Sequence, residues 1–183
     1  VAVAACALGY GVMNLLMAAT PIAMAKCQHP FSAAALVLEW HVLGMFVPSF
    51  FTGHLIKRVG ALPIMGVGVL LNLVCIAVAL SGVELMQFLI ALFTLGVGWN
   101  FLFVGGSTLL TQAYRPEEKI KTQGAMDFCV FTTMAVTSFA SGALITTRGW
   151  DWLNYGSLPV VLLIAIALLW LAAVRRRAVP ATA

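Results

Sequence analysis

Charge is scarce in this sequence: ten Lys and Arg and six Asp and Glu in 183 residues, 9% of the chain. With 62% of residues hydrophobic and a mean hydropathy of +1.04, a soluble globular domain is excluded. The chain also lacks a G-x-x-x-x-G-K-[ST] loop and any polar stretch large enough to hold a nucleotide, which argues against a nucleotide-driven pump. Its four cysteines, Cys6, Cys27, Cys75 and Cys129, form no C-x-x-C and no metal spacing, and three fall inside apolar runs as small hydrophobes. Histidine is equally thin. His41 and His54 superficially resemble stacked di-haem ligands, but each haem would need a second axial ligand from another span, and the only other histidine, His29, is in a loop. Paired catalytic groups at one depth are missing too, so the expectation is no enzyme, no cofactor and no metal. There is no basic leader or initial Met, and the chain starts at Val1, which suggests a piece of something longer.

What the sequence has is apolar length. A helix crossing a hydrocarbon core of about 30 Å takes roughly 20 apolar residues, because each residue rises only about 1.5 Å. Six such runs are expected, over about 2–24, 32–56, 61–80, 85–113, 122–146 and 155–174, with a short disordered tail at 178–183. The predicted class is an all-α polytopic membrane protein. Although the pI is near 9.1, the basic residues sit in short loops and report topology, not nucleic-acid binding. Lys57, Arg58, Arg115, Lys119, Lys121, Arg175, Arg176 and Arg177 fall on one side, against Lys26 and Arg148 on the other. That bias places both termini in the cytoplasm. Trp150, Trp152 and Tyr155 are expected as anchors at the opposite interface, and Tyr114 and Trp170 at the inner one.

The stretch 87–113 is the centre of interest, because Trp99 and Asn100 sit in its middle among Gly96, Gly98, Gly105 and Gly106. Glycines let helices approach closely, and an amide at membrane depth needs a partner or a water-filled cavity. Asn14 occupies the matching place in the first span, so the six spans divide into two triplets, each opened by an asparagine helix. Two triplets in inverted topology, with substrate held near the midplane, are a common transporter construction.

The loop Gly53-His-Leu-Ile-Lys-Arg-Val-Gly60 and the loop Tyr114-Arg-Pro-Glu-Glu-Lys119, followed by Gln123-Gly124, resemble the major facilitator superfamily. That family carries G-x-x-x-D-R-x-G between second and third helices and P-E-E-R-x-x-x-x-G between fourth and fifth. Here Lys57 stands in place of the family's Asp, and Leu92 where the amino-terminal half usually has an intramembrane Arg; both departures favour the carboxy-terminal half. The stretch from Trp99 through TQAYRPEE is similar to the tenth helix of bacterial drug or metabolite efflux members. The resemblance implies half of a twelve-helix secondary transporter in a bacterial inner membrane, working by alternating access on a small organic or drug-like solute. It also implies a missing amino-terminal half or a second copy as partner. In that fold the first helix of each triplet lines the cavity, the second meets the other half, and the third faces lipid. The competing reading is a non-transporting scaffold, sensor or assembly subunit.

The candidate residues have two readings each. Trp99, Asn100 and Phe103 suit a substrate wall in which rings stack on a planar or lipophilic solute and the amide orients it; helix packing is the alternative. Asn14, with Tyr10 and Met17 nearby, divides the same way. His41, sharing a face with Met45, Pro48 and Thr52, would bind substrate or exchange a proton; otherwise it is a neutral imidazole donating to a neighbouring carbonyl. Glu39, two positions earlier, turns to nearly the opposite face and sits closer to the outer surface, where water reaches it; a solvated carboxylate is the favoured reading, with proton coupling as the alternative. Asp127 would form a cytoplasmic gating ion pair with Lys57 or Arg58 or with the missing half, or else be an acid near a helix N-terminus stabilised by the helix dipole. Glu117 and Glu118 join that gate by family resemblance, or are simply solvated. Thr132, Thr133, Thr137 and Ser138 would contact substrate or bond back to their own helix.

Overall fold

The computed structural model describes residues 1–178, and those residues are helical, with no strand among them. Six spans long and apolar enough to cross a membrane are present: Ala2–Lys26, Phe31–Val59, Ala61–Ser81, Leu85–Thr111, Pro116–Thr147 and Trp150–Arg177. The helices are α1 (Ala2–Lys26), α2 (Phe31–Phe46), α3 (Ser49–Val59), α4 (Ala61–Ser81), α5 (Leu85–Thr111), α6 (Lys119–Thr147) and α7 (Trp150–Ala178). Residues 179–183, the rest of the expected tail, lie outside the described residues.

The second span is two helices because Pro48 has no N–H to continue the ladder. The chain turns instead: Phe50 N–H reaches the Val47 carbonyl at 3.3 Å, and the Phe51 and Thr52 N–H groups reach the Pro48 carbonyl at 3.0 and 2.8 Å. Among the described residues no backbone N–H crosses the break to the Met45 carbonyl. Gly60, the last glycine of the first loop motif, joins α3 to α4 with φ 91°, a conformation that other residues adopt only with strain. At the start of α5, Gln87 Oε1 accepts the Glu84 N–H at 3.0 Å and so satisfies an otherwise orphan donor. The sixth span begins at Trp150 and not near Tyr155. Trp150, expected as an interfacial anchor, is buried against Phe88 and donates Nε1–H to the Ala79 carbonyl at 3.2 Å. Trp152 and Tyr155 are exposed.

Packing arranges the helices in two layers. The front layer runs α2 with α3, then α5, α1 and α6; α4 packs behind α5, and α7 behind α1 and α4. Thus α1 lies on α6 and α5 lies on α2: the first helix of each triplet packs on the second helix of the other, as inverted repeats require. Close approach is steric where it matters most. A Cβ on Gly96 would stand 2.5 Å from the His41 carbonyl oxygen, so only a glycine lets the α2 and α5 backbones meet there. Burial concentrates on α1 and α5, while broad apolar faces of α2, α3 and α6 are uncovered, including Phe46, Phe50, Phe51, Phe128, Phe131 and Phe139.

Candidate functional site

Four rings from three helices converge in the front layer. Trp99 and Phe103, four positions apart on α5, share a face and stack with centroids 5.3 Å apart and planes 13° from parallel. Tyr10 of α1 meets both edge-on, at 5.3 Å from Trp99 and 5.9 Å from Phe103. Phe46, at the broken end of α2, meets Trp99 edge-on at 6.4 Å and is itself 58% exposed. Edge-to-face and offset pairs of this kind are each worth about 0.5–1.5 kcal/mol beyond their area. Trp99 is 7% exposed, and its Nε1–H, although buried, has no partner among the described residues.

Asn100 is adjacent in sequence but serves another purpose. It is 1% exposed; its Nδ2 donates to the Met45 carbonyl at 2.8 Å and to Ser49 Oγ at 2.6 Å, and its Oδ1 accepts from Thr52 Oγ1 at 2.8 Å. The amide therefore satisfies the carbonyl that the proline break leaves bare. Asn14 is also engaged by its neighbour, the unbroken α6, where Nδ2 lies 3.1 Å from the Met134 carbonyl, 3.0 Å from Thr137 Oγ1 and 2.9 Å from Ser138 Oγ. Ser141 Oγ adds a bond to the Leu15 carbonyl at 2.9 Å. Both amides, placed by sequence on the substrate wall, thus have their hydrogen-bonding partners on the neighbouring helix. The physical reason is the cost of an unpaired amide in hydrocarbon.

The two networks share a motif that inspection of the loops misses. Met45-Phe-Val-Pro-Ser-Phe-Phe-Thr52 and Met134-Ala-Val-Thr-Ser-Phe-Ala-Ser141 both read M-x-V-x-S-F-x-[ST]. In each, the Met carbonyl and the Ser hydroxyl receive an asparagine amide, and the Phe after the Ser is more than four-fifths exposed. Scanning the second helix of each triplet against the other would have found it.

His41 is fully buried between α2 and α5, with Nδ1 2.7 Å from the Leu92 carbonyl and Nε2 without a partner among the described residues. Glu39 is exposed, away from it. Lys57 and Arg58 are exposed at the end of α3, and Asp127 is exposed on α6. The structure does not bring these together, because α3 packs on α4, α5 and α2, and α6 on α1 and α7. Glu118 is not merely solvated: its Oε2 accepts the Arg115 N–H at 3.1 Å and closes the Pro116–Glu118 turn ahead of α6. Glu117 is exposed, as is Thr132. Thr133 and Thr137 bond back to the Cys129 and Thr133 carbonyls at 2.8 and 2.9 Å, the local alternative for helical hydroxyls. Ser138 is engaged by Asn14. No group of three or more His, Cys, Asp or Glu side chains among the described residues could hold a metal.

The Major Facilitator Superfamily profile matches residues 1–183, the whole chain. The chain belongs to the major facilitator superfamily. It is 42% identical over 167 residues to the riboflavin transporter RfnT of Brucella anthropi, covering 91% of this chain and 42% of that protein. Two transporters of Bacillus subtilis described as uncharacterized and MFS-type are also similar. YdeG is 33% identical over 136 residues, 73% of this chain and 32% of YdeG; YddS is 29% identical over 161 residues, 87% of this chain and 37% of YddS. The chain therefore spans less than half the length of these relatives. No solved structure matches it. These relatives are described as transporters, and the six apolar spans make this facilitator-family chain a multi-pass membrane chain.

Proposed function

We propose that this facilitator chain is the carboxy-terminal half of a secondary transporter that moves riboflavin or a closely related planar, ring-fused solute by alternating access. The observation that carries the reading is the Tyr10, Phe46, Trp99 and Phe103 wall, whose indole N–H has no partner among the described residues, the chemistry an isoalloxazine ring with several acceptors would use. The riboflavin transporter relative supports the same solute class. The excess of Lys and Arg at one end puts the termini of this segment in the cytoplasm of a bacterial inner membrane. The uncovered phenylalanines of α2, α3 and α6 form the contact with the other six-helix half, and Asp127, Glu117, Lys57 and Arg58 find gate partners there and not within this half.

Coupling to protons rests on His41 and Glu39. His41 Nδ1 already faces a carbonyl, so a proton taken up at Nε2 needs an acceptor supplied only when the two halves move. That difference between states is what lets a proton bias a rocking equilibrium. Glu39, exposed on the same helix, is the alternative carrier.

Flux of riboflavin, read by its own fluorescence, in cells expressing the full-length protein tests this. Saturable flux is expected, with Trp99→Phe raising KM several-fold through loss of the donor and Trp99→Ala roughly tenfold or more, at about 1 kcal/mol per lost aromatic pair or hydrogen bond. His41→Gln and Glu39→Gln separate the two carriers by loss of gradient dependence. Inserted protein without saturable flavin flux above control in either direction would overturn the substrate assignment.

A further inference from the structure

On the back layer, away from the aromatic wall, an apolar groove of about 340 Å³ runs between α4 and α7, lined by Leu62, Gly66 and Leu73 on one side and Ala165, Leu169 and Ala172 on the other. From Leu62 to Leu73 the helix rises about 16 Å at about 1.5 Å per residue, close to half of a hydrocarbon core of about 30 Å. The groove is one leaflet deep. It opens at the end of the bundle where α4 begins and α7 finishes. The lining stripe of α7 continues into Arg175 and Arg176, three and four positions beyond Ala172 and hence on the same face, and both are exposed. Lys57 and Arg58 end α3 just before α4 starts. No Asp or Glu lies in α3 or α4, and the only one in α7, Asp151, is at the opposite end.

We propose that this groove binds one anionic phospholipid of the leaflet at the basic end, with an acyl chain lying between α4 and α7 and the headgroup phosphate held by Arg175 and Arg176. Guanidinium groups suit that role because their fork matches phosphate oxygens two at a time. The depth decides the occupant. A transmembrane helix of another protein would need a groove running the full membrane, whereas a single acyl chain ends at the midplane. The acidic-free rim selects negative over zwitterionic headgroups, and basic residues near an anionic lipid surface contribute roughly fivefold each.

The test is native mass spectrometry of the full-length protein released from nanodiscs of equal phosphatidylglycerol and phosphatidylcholine. Wild type is expected to retain one phosphatidylglycerol in more than tenfold preference. R175Q/R176Q should lower that preference roughly fivefold per arginine. Gly66→Trp, whose side chain enters open space in the groove, should abolish retention of either lipid while the protein stays folded. Equal retention of the two lipids by wild type, unchanged selectivity in R175Q/R176Q, or a second protein copy in place of lipid would each overturn the proposal. None of these readouts depends on which solute is transported.

Discussion

Replacing Asn100 by leucine, similar in size but unable to hydrogen-bond, tests the account of the broken second span. Three interhelical bonds disappear, to the Met45 carbonyl, to Ser49 and from Thr52. Such bonds in membranes average about 0.6 kcal/mol and reach about 1.7, so together they contribute about 2 kcal/mol. The Met45 carbonyl is then left bare, because no backbone N–H crosses the Pro48 break among the described residues; an unsatisfied buried acceptor adds about 1–3 kcal/mol. The expected loss is about 3–5 kcal/mol. Asn14→Leu removes contacts of similar length, but α6 is continuous and the Met134 carbonyl keeps its helical partner, so about 1 kcal/mol is expected there. Pro48→Ala restores an N–H toward the Gly44 carbonyl and removes the ring, so the helix can straighten and the Ser49 N–H can reach the Met45 carbonyl. The Pro48→Ala/Asn100→Leu double variant should therefore cost at least about 1 kcal/mol less than the sum of the single changes. The assay is reversible unfolding of the full-length protein in mixed micelles titrated with sodium dodecyl sulfate, followed by near-ultraviolet circular dichroism. Equal losses for the two asparagines, or additivity within about 0.5 kcal/mol in the double variant, would refute the reasoning.

Three further outcomes follow from local geometry and are read in the same unfolding assay. Gly96→Ala places a methyl 2.5 Å from the His41 carbonyl oxygen, and forcing α2 and α5 apart should cost about 1–3 kcal/mol or more, whereas Gly66→Ala meets nothing within 4 Å and should be neutral or slightly stabilising. Gly60→Ala must adopt φ 91° between α3 and α4, so a loss of about 1–2 kcal/mol is expected. Lys26→Met removes a donor 2.6 Å from the Ile145 carbonyl at the exposed end of α6, and the expected cost is about 0.5–1.5 kcal/mol, falling with added salt.

Much of this architecture was legible in one dimension because a bilayer allows few solutions. Hydrocarbon demands that each backbone satisfy itself over roughly 20 residues, so composition and run length determined an all-helical, six-span chain. The loop motifs around Gly53–Gly60 and Arg115–Lys119 pointed to the family on their own. The boundaries at Trp150 and the interruption at Pro48 were less legible, since hydropathy averages over a window and does not register where one N–H is missing.

Which polar groups are spent within the bundle was decided only by tertiary structure. Sequence places Trp99 and Asn100 side by side in one apolar run, and at about 100° per residue they face different neighbours. The fold spends the Asn100 amide on the Met45 carbonyl and gives the Trp99 N–H no partner among the described residues, in an aromatic wall to which Tyr10 and Phe46 come from other helices. Likewise, Asp127 and Arg58 are opposite charges on the same end of the chain's map, yet their helices pack on different partners. Sequence determines what must be buried and satisfied; which partner satisfies it depends on helix rotation and contact, and those exist only once the bundle has assembled.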